Sequence, residues 1–487
     1  MDKKIISGRK PSLVVSLIPV IFLIATLTIT VIIFGDKATS GPVQSVLMLA
    51  AAFAAVFALT HGIKWHDLEE HVLGTMADVM QPILILLLIG ALIGVWILSG
   101  IVPAIIVWGL KLLSPSIFLF TACIISSVVS MATGSSWSTA GTIGVALVGI
   151  GQAMDMNLGM TAGAIVSGAY FGDKLSPFSE TTNLAASMAE TPLFVHIRHM
   201  IWTTTPALII ALILYLILGF TQSHASYTPE KIKIITDIIN SKFDTSVYML
   251  LPPVITIGIM VKRFPAIPSI IIGIALGIIF ALIFQPQVVS EMAGKSDLPI
   301  GMASLKTCLD TAATGFRSST GMEIVDNLLN KGGMAAMLNT IWLILSAMFF
   351  AGVMDGSGMM GSIADGILKG IRGSGNLVAA TLGTAVLVNI LAAEQYLSIV
   401  ITGRMYKEAY DKQGLHRKNL SRALEDAGTL TSPLVPWNTC GAFMATTLGV
   451  ATYLYLPFAF LNIITPLVSL VYAYTGFTIE HVKKAGE

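Results

Sequence analysis

Two acidic residues in this chain stand in surroundings where acids are costly. Asp173 falls in Gly172-Asp-Lys-Leu-Ser-Pro-Phe-Ser-Glu-Thr-Thr-Asn183, between apolar runs, and Glu394 is isolated in the apolar stretch of residues 376–402. A carboxylate there is expensive unless it is paired or functional. A functional one takes up either a proton or a small cation, and competition between the two is a simple physical route to exchange. Glu180 follows Asp173 within the same motif. Neutral oxygens gather nearby: Ser176, Thr181 and Thr182 in the first segment, and Ser432, Asn438 and Thr439 in a later one. Hydroxyls and amides of this kind suit sodium, as do the free carbonyls and end charges of interrupted helices. Plainer roles stay open for each. Asp173 has Lys174 beside it as a partner or is a helix cap, and Glu394 has a basic residue on another helix. The hydroxyls serve equally as structural polar groups. Lys174 is also a candidate resident cation that holds the site when sodium is absent.

Such residues need elements that break where they stand. Pro177 and Pro433 each remove an amide donor and so interrupt a helix. The run of residues 131–141 holds Ser135, Ser136 and Trp137 among glycines and hydroxyls, yet apolar sequence flanks it on both sides. Irregular backbone at membrane depth is tolerated only where protein or a polar cavity satisfies it. Trp137 and Trp437, one in each half, are read as packing elements or gates. Gly172 to Thr182 is echoed in Gly428-Thr-Leu-Thr-Ser-Pro-Leu-Val-Pro-Trp-Asn438, with Ser176-Pro177 over Ser432-Pro433. Proline-marked polar breaks in corresponding places of two halves point to structural repeats with a site at discontinuous helices.

Composition supplies the medium. Only 11% of the 487 residues are charged and 55% are hydrophobic, against about 25% charged in soluble domains. Apolar windows at residues 12–33, 41–60, 82–98, 201–219, 265–283 and 376–402 match the roughly 20 residues a spanning helix needs. The expected fold is an all-α polytopic membrane protein with two structural repeats of inverted topology. Residues 1–220 form a first transmembrane half, 221–244 a polar linker, 245–475 a second half and 476–487 a cytoplasmic tail. Residues 61–80 read as an interfacial amphipathic helix. Lys3, Lys4, Arg9 and Lys10, the charged segment 404–426, and Lys483 and Lys484 are placed in the cytoplasm by the positive-inside rule. Both termini inside require an even number of spans, about 10 to 12. His196 and His199 read as solvated juxtamembrane residues. A net charge of +1 argues against a nucleic-acid partner. No phosphate-cradling loop supports ATP-driven pumping, no cofactor or nucleophile motif is present, and Cys123, Cys308 and Cys440 are too far apart for a metal motif.

At Gly134-Ser-Ser-Trp-Ser-Thr-Ala-Gly141 and Gly168-Ala-Tyr-Phe-Gly-Asp-Lys-Leu-Ser-Pro-Phe-Ser-Glu-Thr-Thr-Asn-Leu184 the chain resembles the NhaC-type sodium/proton antiporters of bacteria. The likeness continues at Phe194-Val-His-Ile-Arg-His-Met200, Leu328-Leu-Asn-Lys-Gly-Gly-Met334 and Ser432-Pro-Leu-Val-Pro-Trp-Asn-Thr-Cys-Gly441. The resemblance implies exchange of cytoplasmic sodium for external protons across the bacterial inner membrane, with a homodimer as a family expectation. The matching positions are Asp173, Ser176, Pro177, Thr181, Thr182, Ser432, Pro433 and Asn438. The family also contains proteins resembling malate/lactate exchangers. A carboxylate substrate would want a positive group, for which Lys174 and Arg317 are the candidates.

Overall fold

The computed structural model describes residues 11–34, 38, 40–222, 229–294, 298–368 and 371–482. Lys3, Lys4, Arg9, Lys10, Lys483 and Lys484 lie outside the described residues. Apolar runs too long for strands become helices, because a helix satisfies its backbone polar groups internally. The chain begins with α1 (Leu13–Phe34) and α2 (Pro42–Thr60), followed by α3 (Trp65–Ala77), the short polar helix expected from its charges, and α4 (Met80–Leu98). α5 (Ile101–Leu112) and α6 (Pro115–Thr133) are parted at Ser114-Pro115. Large apolar side chains on α1 face outward, Ile32 at 76% exposure and Ile33 at 68%, as a lipid-facing surface requires. Among the described residues eight helical stretches are long and apolar enough to cross a membrane, or ten if two sharply bent helix pairs each count as one. The described residues contain no strand.

The expected breaks interrupt the helical ladder. α6 stops at Gly134, whose φ of +71° suits a residue without Cβ. A single turn, α7 (Ser136–Thr139), follows, then a π-helical turn at Ala140–Gly144 and α8 (Val145–Ala153). α9 (Leu158–Leu175) ends just before Ser176-Pro177, and α10 (Glu180–Met188) restarts behind the cap Ser179. α11 (Leu193–Gln222) and α12 (Pro229–Lys242) lead into the second half. There α13 (Leu251–Val261), α14 (Ala266–Phe284), α15 (Pro286–Ala293), α16 (Ile300–Thr314), α17 (Glu323–Leu329), α18 (Leu338–Gly356) and α19 (Met359–Leu368) follow in order.

One expectation is corrected here. Residues 376–402 do not form one helix with Glu394 inside it. α20 (Ser374–Leu391) stops, Ala393 takes a φ of +54°, and α21 (Gln395–Lys412) restarts with Glu394 as its cap. The carboxylate accepts the Leu397 N–H at 3.0 Å, which replaces the helical bond that the break removes. α22 (Lys418–Ala423) then runs into a π-helical segment at Leu424–Thr429, and Ser432-Pro433 forms a tight turn before α23 (Thr439–Leu448), α24 (Thr452–Tyr455) and α25 (Phe460–Thr475).

Close packing of α6 on α9 holds the first break in place. A Cβ at Gly168 would lie 2.2 Å from the Cys123 carbonyl oxygen, and Ser130 Oγ donates to the Ala169 carbonyl across the same seam. At the surface, Glu190 in the turn after α10 is paired with Lys407 and Arg417, and Arg417 also grips Asp411 at 2.8 Å. Two predictions follow from these contacts. Gly168→Val pushes the two helices apart and destabilises the fold by about 1–3 kcal/mol, read as a lower unfolding temperature of the detergent-purified protein. Lys407 first, and then Arg417, hold the exposed Glu190 carboxyl below its ordinary value of 4.5. Its depressed value means that the clasp contributes at neutral pH and is lost as pH falls through and below that value. Amide exchange in residues 186–193, corrected for intrinsic pH dependence, rises on acidification, and Glu190→Gln shows the raised level already at pH 7.

Candidate functional site

Where the breaks face one another, a cavity of about 350 Å³ opens, lined by Ser135, Ser136, Trp137, Asp173, Pro177, Glu180, Thr181, Gln395 and Tyr396 among others. α7 and α9 deliver its buried acid. Ser136 donates to Asp173 Oδ2 from its backbone N at 3.1 Å and from its Oγ at 2.7 Å. Asp173 is only 5% exposed, so these two donors replace hydration on one face while the cavity wets the other. Ser135 Oγ accepts the Ser138 N–H and caps α7. Ser179 Oγ does the same for Thr182 N at the start of α10 and contacts Thr181 Oγ1 at 3.0 Å. Thr182 Oγ1 donates to the Lys174 carbonyl at 2.9 Å, and Ser176 Oγ accepts the Phe178 N–H at 3.3 Å. Both therefore organise the unwound backbone after α9. Glu180 is exposed at the rim, where Gln81 at 3.3 Å and Tyr396 at 2.7 Å donate to it.

From the start of α21 only Gln395 and Tyr396 reach the cavity wall, and Glu394, Ser432, Asn438 and Thr439 lie outside its lining. Glu394 is 3% exposed, and Thr439 Oγ1 approaches its Oε1 at 3.5 Å. Asn438 caps α23 by accepting Cys440 N–H at 3.0 Å, while its amide donates to the Asn389 carbonyl at 3.1 Å. Ser432 Oγ donates to the Thr429 carbonyl at 2.7 Å and reaches Gln395 Oε1, in the cavity wall, at 3.4 Å. The Pro433 carbonyl accepts from Tyr455 OH. Trp437 donates to the Ile390 carbonyl at 2.8 Å, and Trp137 stacks on Phe443 with ring centroids 4.0 Å apart. Both tryptophans thus pack the breaks, and the stack ties α7 to α23.

A family model described as the Na+/H+ antiporter family matches residues 168–477, which contain both acids and both Ser-Pro breaks. The chain belongs to the Na+/H+ antiporter family. It is 39% identical over 433 residues to the Na(+)/H(+) antiporter NhaC of Alkalihalophilus pseudofirmus, covering 89% of this chain and 90% of that one. It is 39% identical over 427 residues to the Na(+)/H(+) antiporter NhaC of Bacillus subtilis, covering 88% and 90%. It is also 36% identical over 442 residues to the Malate-2H(+)/Na(+)-lactate antiporter of Bacillus subtilis, covering 91% of each. This member of the antiporter family is accordingly a multi-pass membrane transporter.

Two cations do not sit where a substrate-facing role would put them. Arg317 is exposed, donates to the Asn330 carbonyl at 2.9 Å, and lines a different recess with Asp310. Lys174 turns away from Asp173 and forms an ion pair with Asp426, both side chains being fully buried. The cavity's own cation is Arg263, which lies over the Phe178 ring at 4.7 Å. His196 and His199 are buried, at 0% and 4% exposure, contrary to the solvated placement expected of them. They fall in the opening turns of α11, which pack on α22, and His196 Nδ1 meets Ser421 Oγ at 2.8 Å.

Sequence reasoning missed Glu425 and Asp426, grouped with the charged segment 404–426. A signal was present: from residue 423 to residue 450 they are the only charged side chains, so the charged segment ends at Arg422 and the two acids open an apolar one. Thr203 Oγ1 donates to Asp426 Oδ1 at 3.0 Å beside the Lys174 pair. Breaking a buried pair by removing one partner costs about 3–5 kcal/mol, whereas replacing both with apolar groups is often close to neutral. Lys174→Met or Asp426→Leu alone therefore lowers the unfolding temperature of the purified protein sharply, and the double substitution restores most of the loss.

Proposed function

We propose that the chain is a secondary active antiporter that exchanges cytoplasmic sodium for external protons across the bacterial cell membrane, with both termini in the cytoplasm. The observation that carries this reading is Asp173, a buried carboxylate opening onto the cavity and held by two donors from Ser136. Deprotonated, it ligates sodium together with oxygens of Thr181 and the unwound segment after α9. Glu394, with Thr439 and Asn438 beside it, adds the second-half contribution. Protonation of the same oxygens displaces sodium, and alternating access, driven by the inward proton gradient, releases it on the other side. Lys174, already held by Asp426, ties the end of α9 to the second half and is not the cation that holds the empty site. The echo of Ser176-Pro177 in Ser432-Pro433 supports a pair of inverted repeats meeting at this cavity.

A second reading rests on Arg263 at the cavity wall and on the similarity to a malate/lactate antiporter. Here a small organic acid accompanies the ions and pairs with the guanidinium.

Purified protein in sealed liposomes with an internal pH dye separates the two. Sodium alone collapses an imposed proton gradient if the cation exchanger is correct; a requirement for malate or lactate moves the function to organic-acid exchange. Asp173→Asn reduces sodium-dependent proton flux to background, and wild-type flux in that variant would remove Asp173 from the mechanism. Ser136→Ala takes away one charge-assisted hydrogen bond, worth about 1.5–3 kcal/mol. The proton then competes better for Asp173, and half-maximal flux shifts to higher pH.

A further inference from the structure

Glu180 lines the cavity, yet it neither ligates nor releases an ion in the exchange cycle described above. It opens α10 directly behind the cap Ser179 and stands exposed at the rim. Its carboxyl spans the mouth. Gln81, in the first turn of α4, donates to Oε1 at 3.3 Å, and Tyr396, in the first turn of α21, donates to Oε2 at 2.7 Å. Both donors are neutral, so they fix the carboxyl in place without cancelling its charge. Glu190, at the far end of the same helix, is the contrast. It is exposed too, but Lys407 and Arg417 both pair with it.

Among the described residues three charged side chains line the cavity: the buried Asp173, Glu180 at the rim, and Arg263 in the turn between α13 and α14. Lys262, the exposed chain neighbour of Arg263, is not part of the lining. Arg263 lies over the Phe178 ring at 4.7 Å, a contact with an aromatic face that leaves the guanidinium charged. With both carboxylates ionised the lining is therefore negative, and a sodium ion at Asp173 makes it neutral. Without Glu180, Asp173 and Arg263 would balance in the empty cavity, and the sodium-loaded one would be positive. Such differences matter because a cleft with low-dielectric walls focuses field lines through its opening. Asp173 and Glu180 already lie within Coulombic reach of each other.

We propose that Glu180 is the charge-selectivity residue of this cavity, offsetting Arg263 at the mouth so that the opening attracts cations and turns away small anions. The inference rests on the sodium/proton exchange proposed above. Glu180 acts on capture and not on the exchange step. It draws sodium from the water towards Thr181, its chain neighbour, and Asp173, and stays outside the displacement of sodium by the proton. Gln81 and Tyr396 serve by holding the carboxylate over the opening. An organic acid approaching Arg263 meets Glu180 on the same rim, so its entry is opposed.

The test is the sodium dependence of proton flux by the full-length protein in sealed proteoliposomes, resolved into KM and kcat. Glu180→Gln keeps the shape and a hydrogen-bond acceptor but removes the charge. It is expected to raise KM for sodium about 3- to 10-fold at low ionic strength with kcat retained, the difference shrinking as inert salt screens the mouth. Glu180→Asp is expected to stay near wild type, a rescue that places the effect in the charge. Glu180→Gln combined with Arg263→Gln returns the lining to its original balance and is expected to bring KM back towards wild type. A purely structural role for Glu180 does not produce that compensation. An unchanged KM in Glu180→Gln overturns the proposal, and so does a double variant no better than the single one. Should Glu180→Gln not fold, Arg263→Gln alone is expected to lower KM for sodium, and an unchanged KM there overturns the proposal as well. A wild-type protein whose proton flux ignores sodium fails the exchange reading itself. Contrary variant results in a wild type that does exchange remove only the role given to Glu180.

Discussion

Breaking a helix inside an apolar bundle strips backbone amides of their partners where water is scarce, and everything at the centre of this molecule answers to that constraint. Four side chains repair the breaks. Ser135 caps α7, Ser179 caps α10, Glu394 caps α21 and Asn438 caps α23. Asp173, although it stands at the other end of its own helix, performs a related service by accepting the Ser136 N–H. The groups that make the interruptions tolerable are therefore the groups, or the neighbours of the groups, best placed to meet a cation. A ligand that draws on a cap oxygen loosens the break it repairs, which gives binding a direct mechanical consequence for the helices on either side.

Charge is arranged with similar economy. The interior holds Asp173, Glu394, Glu425 and Asp426 against Lys174 and Arg422, all buried. The one direct ion pair among them, Lys174 with Asp426, joins the end of α9 to the π-helical segment before the second Ser-Pro turn. Lys174 adjoins Asp173 in sequence, so a charge change in the cavity is felt one residue from the pair. π-helical turns recur at functional sites because the extra residue re-aims neighbouring side chains. Here one follows α7 and the other carries both missed acids.

Close packing adds to these polar contacts around the centre. α6 and α9 approach so closely at Gly168 that no side chain fits, as small residues allow where the hydrophobic effect does not drive helices together. The Trp137–Phe443 stack then ties the first break to the helix after the last. The relatives share this chain's length almost fully, yet their names cover both ion exchange and organic-acid exchange.

The amino-acid sequence by itself determined the medium, the helical class, the family and the breaks at residues 131–141 and at the two Ser-Pro motifs, but not the one at Ala393. Low charge, apolar windows, prolines and hydroxyl-rich motifs are local properties that need no partner to be read. Asp173 was legible because an acid between apolar runs is conspicuous on its own. Glu394 was legible as an acid but not as a cap, since a helix restart depends on backbone geometry at Ala393 that no composition signals. Glu425 and Asp426 were hidden behind a neighbouring basic cluster, and His196 and His199 looked solvated because charge adjacency along the chain says nothing about which face a helix buries. Only the tertiary structure decided that Lys174 belongs to Asp426, 252 positions away, and that Arg317 has no place at the cavity. The reason is physical: pairing of buried charges is chosen by which helices meet, and that choice is made by packing between distant segments rather than by spacing within one.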